Sequence, residues 1–188
     1  MNKNKKRLLH VLDVEGKNIR QMFLKRDYYI AYLISDPQIK IWKYQKLLRK
    51  TEYYYSKYKK GNLLSILNVI PFIIYKRRKN NIGNKLGIDI RENSVDEGLM
   101  IYHNNIIING HARIGKNCKL HGNNCIGNDG KSNKTPIIGD NVDIGFGAII
   151  IGDVKIANNV SIAAGAVVIK SILEEGSTYA GVPAIKKR

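Results

Sequence analysis

Four histidines and two cysteines carry most of the basic and nucleophilic chemistry open to this 188-residue chain. Histidine titrates near neutrality, so a well-placed imidazole can take and return a proton at cellular pH. Three of the four, His103, His111 and His121, lie close together, which invites a zinc reading. Their unequal spacing does not bring all three to one edge of a repeating structure, and no C-x-x-C spacing accompanies them. No metal is therefore expected. Cys118 and Cys125 offer no disulfide framework, which suits a reducing compartment, the cytoplasm. His111 falls at a turn position and His10 in a basic stretch, and neither is expected to act. On residue type alone, His103 and His121 are each either a functional imidazole or a solvated polar side chain.

The elements that must position them have a period of six. Aliphatic residues stand at Ile108, Ile114, Leu120 and Ile126, and resume in phase at Ile138, Ile144, Ile150, Ile156, Ile162 and Val168. Small or β-branched residues follow four places later, as at Ala112, Cys118, Val142, Ala148, Val154, Val160 and Ala166. Such a period is the mark of a solenoid. Six residues make a short strand and a turn, and three such units close a triangular coil of about 18 residues, stacked about 4.8 Å from the next. The aliphatic and the small residue point inward. Residues 132–137 skip the pattern and read as a loop leaving the coil. His121 follows His103 by about one such coil. If the coil carries no insertion, His121 lies one layer above His103 on the same face.

Residues 1–86 differ in kind. Apolar residues three and four apart around Ile39, Trp42 and Leu48 predict an amphipathic helix, started by Ser35-Asp36-Pro37. A second helix is expected over 63–79, kinked or broken at Pro71. The net charge of +17 sits almost wholly in this half: residues 1–86 hold 21 Lys+Arg against 5 Asp+Glu, and residues 87–188 hold 11 against 10. A basic half can attract nucleic acid, an anionic membrane or a phosphorylated substrate, or can simply solvate helix faces. No nucleic-acid recognition signature accompanies the charge, and no such partner is expected. The basic start lacks an apolar core behind it, so no signal peptide is expected. The apolar run 63–75 is shorter than the roughly 20 residues that span a bilayer. With Lys76-Arg77-Arg78-Lys79 behind it, segment 63–79 fits peripheral contact with an anionic membrane. Burial against the protein or a neighbouring subunit is the preferred alternative, because an exposed stretch so apolar promotes aggregation. The fold class expected is α+β, with helices over 1–86 followed by a left-handed parallel β-helix over 87–188.

The stretch Gly98-Leu99-Met100-Ile101-Tyr102-His103, with Ile106-Ile107-Ile108-Asn109, Ala112-Arg113-Ile114-Gly115 and the ending Ala180-Gly181-Val182-Pro183-Ala184, resembles the serine acetyltransferase branch of the hexapeptide acyltransferases. Leu48-Arg49-Lys50-Thr51-Glu52-Tyr53 resembles the helical part of the branch found in polysaccharide gene clusters. The resemblance implies an acetyl-CoA-dependent O-acetyltransferase, assembled as a homotrimer with its active site between neighbouring chains. The helical half can add contacts that pair two trimers. It implies that His103 is the base that deprotonates the acceptor hydroxyl, which attacks the thioester directly. His121 is a candidate to position the thioester or the acceptor. Asp89 stands one place from the position of the carboxylate that orients the family's histidine.

For the co-substrate, the resemblance points to the loop of Gly127, Asn128, Gly130 and Lys131 beside the thioester arm. Outward backbone around Gly145, Phe146, Ala163 and Ala164 would line the pantetheine slot, and Lys186, Lys187 and Arg188 would face the nucleotide phosphates. Departures bear on the acceptor. True serine acetyltransferases hold the amino acid with an aspartate before the catalytic histidine and an Arg-His pair before a proline. Here Tyr102 and Lys134-Thr135 occupy those places. An ammonium needs an anion and a carboxylate favours Arg, so the expected acceptor is a carbohydrate, with Tyr102 suited to stacking on a sugar ring. Serine O-acetyltransferase and a non-enzymatic β-helical trimer are the alternatives.

Overall fold

A proline at the first helical position and an aspartate before it begin the longest described helix, Pro37–Tyr58. Asp36 caps it by accepting a hydrogen bond from the Gln38 backbone N–H at 2.8 Å. The computed structural model describes residues 3–24, 27–61 and 63–187, and divides into two compact units, Met1–Leu86 and Gly87–Arg188. In the first unit the helices are α1 (Lys3–Gln21), α2 (Asp27–Leu33), α3 (Pro37–Tyr58) and α4 (Val69–Leu86), with a 3₁₀ turn over Leu63–Asn68. The stretch around His10, read as a basic tail, is part of α1. Pro71 falls in the first turn of α4, where its missing N–H has no helical partner to lose, and the stretch 63–79 divides just before it, where the 3₁₀ turn gives way to α4.

Helices α1 and α3 meet along Val11, Glu15 and Ile19, spaced one turn apart, and along Trp42, Leu48 and Arg49. Gly16 makes room for the Trp42 ring, 3.3 Å from where a Cβ would stand. Arg49 is buried with two carboxylates: Nη2 and Nε meet Glu15 Oε1 at 2.6 and 3.0 Å, and Nη1 meets Glu52 Oε2 at 2.9 Å. Burial alone would weaken the Arg49 charge, but Glu52 and Glu15 outweigh it and hold the guanidinium protonated. Helices α3 and α4 pack through aromatics, with Tyr54 stacked on Tyr75 at 5.3 Å and Phe72 against Tyr55 and Tyr58. Segment 63–79 keeps an apolar stripe that this unit does not itself cover. Ile66, Leu67, Ile70, Ile73 and Ile74 are exposed, at 60, 71, 68, 56 and 45%. The helix turns Phe72 and Lys79 inward instead.

The second unit is a parallel β-helix, as the period of six predicts. Five strands stack on one face, Ile88–Ile90, Ile106–Ile108, Asn124–Gly127, Ile149–Ile151 and Val167–Val168. The second face carries Arg113–Ile114, Ile137–Ile138 and Lys155–Ile156. The third carries Met100–Ile101, Lys119–Leu120, Asp143–Ile144, Ser161–Ile162 and Thr178–Ala180, with Ile185–Lys186 added antiparallel at the end. All the phased aliphatics and all the small residues that accompany them are buried.

Along one edge the corners end on residues in the left-handed region, Asn105, Asn123, Gly147 and Gly165. Asparagine and glycine tolerate that conformation where bulkier residues do not. On another edge the asparagines form a ladder: Asn117 donates to Asn141, and Asn141 to Asn159, each at 3.0 Å. The skipped unit is a loop, and it lengthens one coil. The coil from Lys119 to its partner Asp143 contains the loop, whereas the next, from Asp143 to Ser161, is uninterrupted and shorter.

Candidate active site

The corner that bears His103 differs from those stacked on it. Four residues, Tyr102 to Asn105, join the buried Ile101 and Ile106, where the next corners hold three: His121–Asn123, Gly145–Gly147 and Ala163–Gly165. The extra residue sets the His103 side chain out at the edge between two faces, exposed, with the Phe146 ring edge-on at 6.2 Å. Gly122 closes over it. A Cβ there would stand 2.5 Å from His103 Cβ, and the φ of +106° also favours glycine. Asn124 holds Gly122 in place from inside the coil. Its Oδ1 accepts from the Gly122 N–H at 2.9 Å, and its Nδ2 donates to the carbonyls of Gly145 and Ala148 at 2.8 and 3.3 Å. A buried polar side chain in an aliphatic column is tolerated because its hydrogen bonds are made. The His103 ring makes no hydrogen bond among the described residues.

The extra residue corrects the expected pairing of the histidines. Ile101 pairs with Leu120, one place further along the chain than an uninterrupted coil would give, so His121 falls over Tyr102 and not over His103. The His121 and Tyr102 rings stack at 4.6 Å. His121 Nε2 lies 2.8 Å from Asp143 Oδ1, and Lys119 Nζ is 3.7 Å from Asp143 Oδ2. Asp143 went unnoticed in the sequence because the loop intervenes in the coil that leads to it. Counting with the skipped unit removed would have placed it one layer above Lys119.

Asp89 is not brought to His103. It stands opposite Ile107 on the five-stranded face, exposed, and shares no hydrogen bond with the imidazole. The outward columns of that face and of the His103 edge diverge around the corner, so a place gained in sequence changes the surface a residue serves. Gly145 and Ala163 continue the column of Tyr102 and His121, and Phe146 and Ala164 continue the edge above His103, with Gly145 tight against the Ala164 backbone.

Gly127, Asn128, Gly130 and Lys131 belong to a different edge of the prism, where the loop departs. Asp129 organises that loop by accepting from the N–H groups of Lys131 and Ser132 at 2.9 Å, and the bonds to Ser132 and Lys131 lower its pKa. Asn128 donates to the Ser132 carbonyl at 3.0 Å, and Lys131 is exposed. Two expected contacts are otherwise engaged. Lys134 pairs with Asp153 at 2.5 Å, and Lys186 with Glu174 at 2.7 Å. Thr135 is half-buried beside Pro136. Arg188 lies outside the described residues. His111 is exposed at a turn held by Asn109, and His10 lies in the helical unit. Among the described residues, no cluster of His, Cys, Asp and Glu fits a metal ion. Nor is any described helix long and apolar enough to cross a membrane.

No family model matches the chain. The serine acetyltransferase of Staphylococcus aureus (strain Mu50 / ATCC 700699) is 36% identical over 101 residues, 52% of this chain and 47% of that protein. The chain spans less than half the length of the curated relatives it matches. Among solved structures, the serine acetyltransferase of Neisseria gonorrhoeae in complex with serine matches with a TM-score of 0.74 at 23% identity, over 97% of this chain and 70% of that one. A serine acetyltransferase in complex with CoA matches with a TM-score of 0.69 at 21% identity, over 96% and 69%. The fold is therefore that of the helix-plus-β-helix proteins expected from the period of six. The sequence likeness runs over about half of this chain, and the solved structures share its fold. These proteins are serine acetyltransferases by name.

Proposed function

We propose that the chain transfers an acetyl group from acetyl-CoA to an acceptor hydroxyl, with His103 as general base. The observation that carries this reading is the corner of four residues, which presents an exposed imidazole, without a hydrogen bond among the described residues, at the prism edge beneath Gly122. The ring takes the hydroxyl proton as the oxygen attacks the thioester carbon. The tetrahedral intermediate then collapses, and the CoA sulfur leaves and recovers the proton. The expected co-substrate loop and the His103 edge occupy different corners of one prism. That arrangement suits a site shared between neighbouring chains of a homotrimer. The outward column Ile107, Cys125, Ile149 and Val167 supplies an apolar face for such packing.

Serine is the acceptor that the comparisons back better than a sugar, since most of the similar proteins bear its name. A sugar hydroxyl is the second reading, favoured by Tyr102 before His103 and by the engagement of Asp143 with His121 and Lys119. An ammonium would therefore have to compete with His121 and Lys119 for the Asp143 carboxylate. The exposed apolar stripe of the helical unit beside Arg77 and Arg78 supports peripheral contact with an anionic membrane from the cytoplasm. The test is acceptor-dependent release of CoA. Wild type should turn over, and His103→Ala should be slower by roughly 10² to 10⁴. Equal rates would remove His103 from the mechanism, and light scattering that shows a monomer would remove the shared site.

A further inference from the structure

Tyr102, His121 and Asp143 rise obliquely over three successive layers of the third face, beside His103. The Asp143 carboxylate only accepts hydrogen bonds, so His121 Nε2 carries the hydrogen between them. In the neutral ring this puts the lone pair on Nδ1. Nδ1 has no partner among the described residues, where the ring's hydrogen bond is the one to Asp143. The stack on Tyr102 fixes the plane of the ring and the bond to Asp143 fixes its rotation. The pair is 37 and 38% exposed, so it is open to a small molecule.

We propose that His121 is a positioning residue for the acceptor: its Nδ1 accepts a hydrogen bond from a second hydroxyl while His103 takes the proton from the first. The acceptor class is then a polyol such as a sugar ring, which holds two hydroxyls rigidly a few ångströms apart. This rests on the reading of His103 as the base of an acetyl transfer. It departs from the acceptor in the relatives' names, for reasons found in this site. Serine has a single hydroxyl. Its ammonium would find the Asp143 carboxylate already shared between His121 and Lys119.

The test measures acceptor-dependent CoA release with L-serine, a panel of hexoses and N-acetylhexosamines, and monodeoxy analogues of the preferred sugar. Wild type, His103→Ala, His121→Ala and Asp143→Asn are compared, with CoA binding followed by calorimetry. A sugar should be preferred over serine. His121→Ala should raise its KM about tenfold, the worth of one neutral hydrogen bond, with CoA affinity unchanged. Asp143→Asn should raise KM in the same direction, since an amide no longer dictates the tautomer. One deoxy analogue should lose about tenfold in wild type and nothing further in His121→Ala, a coupling that a merely structural role would not produce. Preference for serine, an unchanged KM in His121→Ala, or the lack of any coupled deoxy position would overturn the inference while acetyl transfer stood. If wild type turned over no acceptor, or His103→Ala matched it, the acetyltransferase reading would fall and the inference with it.

Discussion

Replacing Asn124 by Ala tests how the β-helix holds the edge that bears His103. Asn124 is 2% exposed and makes three hydrogen bonds, but they are not equivalent. The Gly145 carbonyl also accepts from the Ala148 N–H at 3.1 Å, and the Ala148 carbonyl from the Cys125 N–H at 3.4 Å. Those two acceptors lose about 0.5–1 kcal/mol each. The Gly122 N–H loses its acceptor in a buried corner, which costs about 1–3 kcal/mol. The sum is roughly 2–5 kcal/mol, a large share of the stability of a typical domain. Because Gly122 lies on His103, a loosened corner should also move the imidazole. A misplacement of about 1 Å can cost 10²-fold, so turnover should fall by about 10- to 10²-fold. Urea unfolding at fixed protein concentration gives the first number, and initial rates of CoA release give the second. A variant within about 0.5 kcal/mol of wild type would refute the orphaned N–H argument. A destabilised variant with normal turnover would refute the link from Asn124 to His103.

Gly122→Ala should lower turnover more than it lowers stability, because the new methyl meets His103 directly; a crystal structure of the variant with an unmoved imidazole would contradict this. Glu15→Ala leaves the buried Arg49 with Glu52 and should destabilise the helical unit by about 3–5 kcal/mol, whereas Lys17→Ala, which removes an exposed pair with Asp13, should stay within about 0.5 kcal/mol. Circular dichroism during urea unfolding compares the two. Burial, helped by the Asp143 charge, pushes the Cys118 thiol up to about 12. It should thus stay protonated at pH 8 and resist iodoacetamide in the native protein; a mass-spectrometric adduct on Cys118 before unfolding would count against that burial. Flotation with anionic vesicles at low salt should carry the protein, and Arg77→Gln/Arg78→Gln should weaken it. Equal flotation with neutral vesicles would exclude an electrostatic contact.

The period of six was legible without any structure, because inward aliphatics and small residues recur wherever a coil must stack, and every one of those positions is buried. The start of α3 was legible for a similar reason, since Asp36 and Pro37 act on their own backbone. Helices were expected over 1–86, but the bounds and buried face of α1 were not placed, because that face consists of Val11, Glu15 and Ile19, and a carboxylate at the centre reads as surface until Arg49 is found opposite it. The exposure of Ile66 and Ile70 was likewise invisible to a sequence that says only that they are apolar.

The site divides along the same line. His103 and Tyr102 were identified by local motif, whereas their surroundings depend on register. One residue added at the 102–105 corner moves His121 from His103 to Tyr102. The loop over 132–137 delivers Asp143 to His121. Composition and period determined that this chain is a helical unit followed by a β-helix with a histidine at an edge. Which side chains face that histidine was decided only by the tertiary structure. In a solenoid, contacts run between layers, and a single inserted residue reassigns the pairs of the coil that contains it, as Ile101 with Leu120 shows beside Ile106 with Asn124.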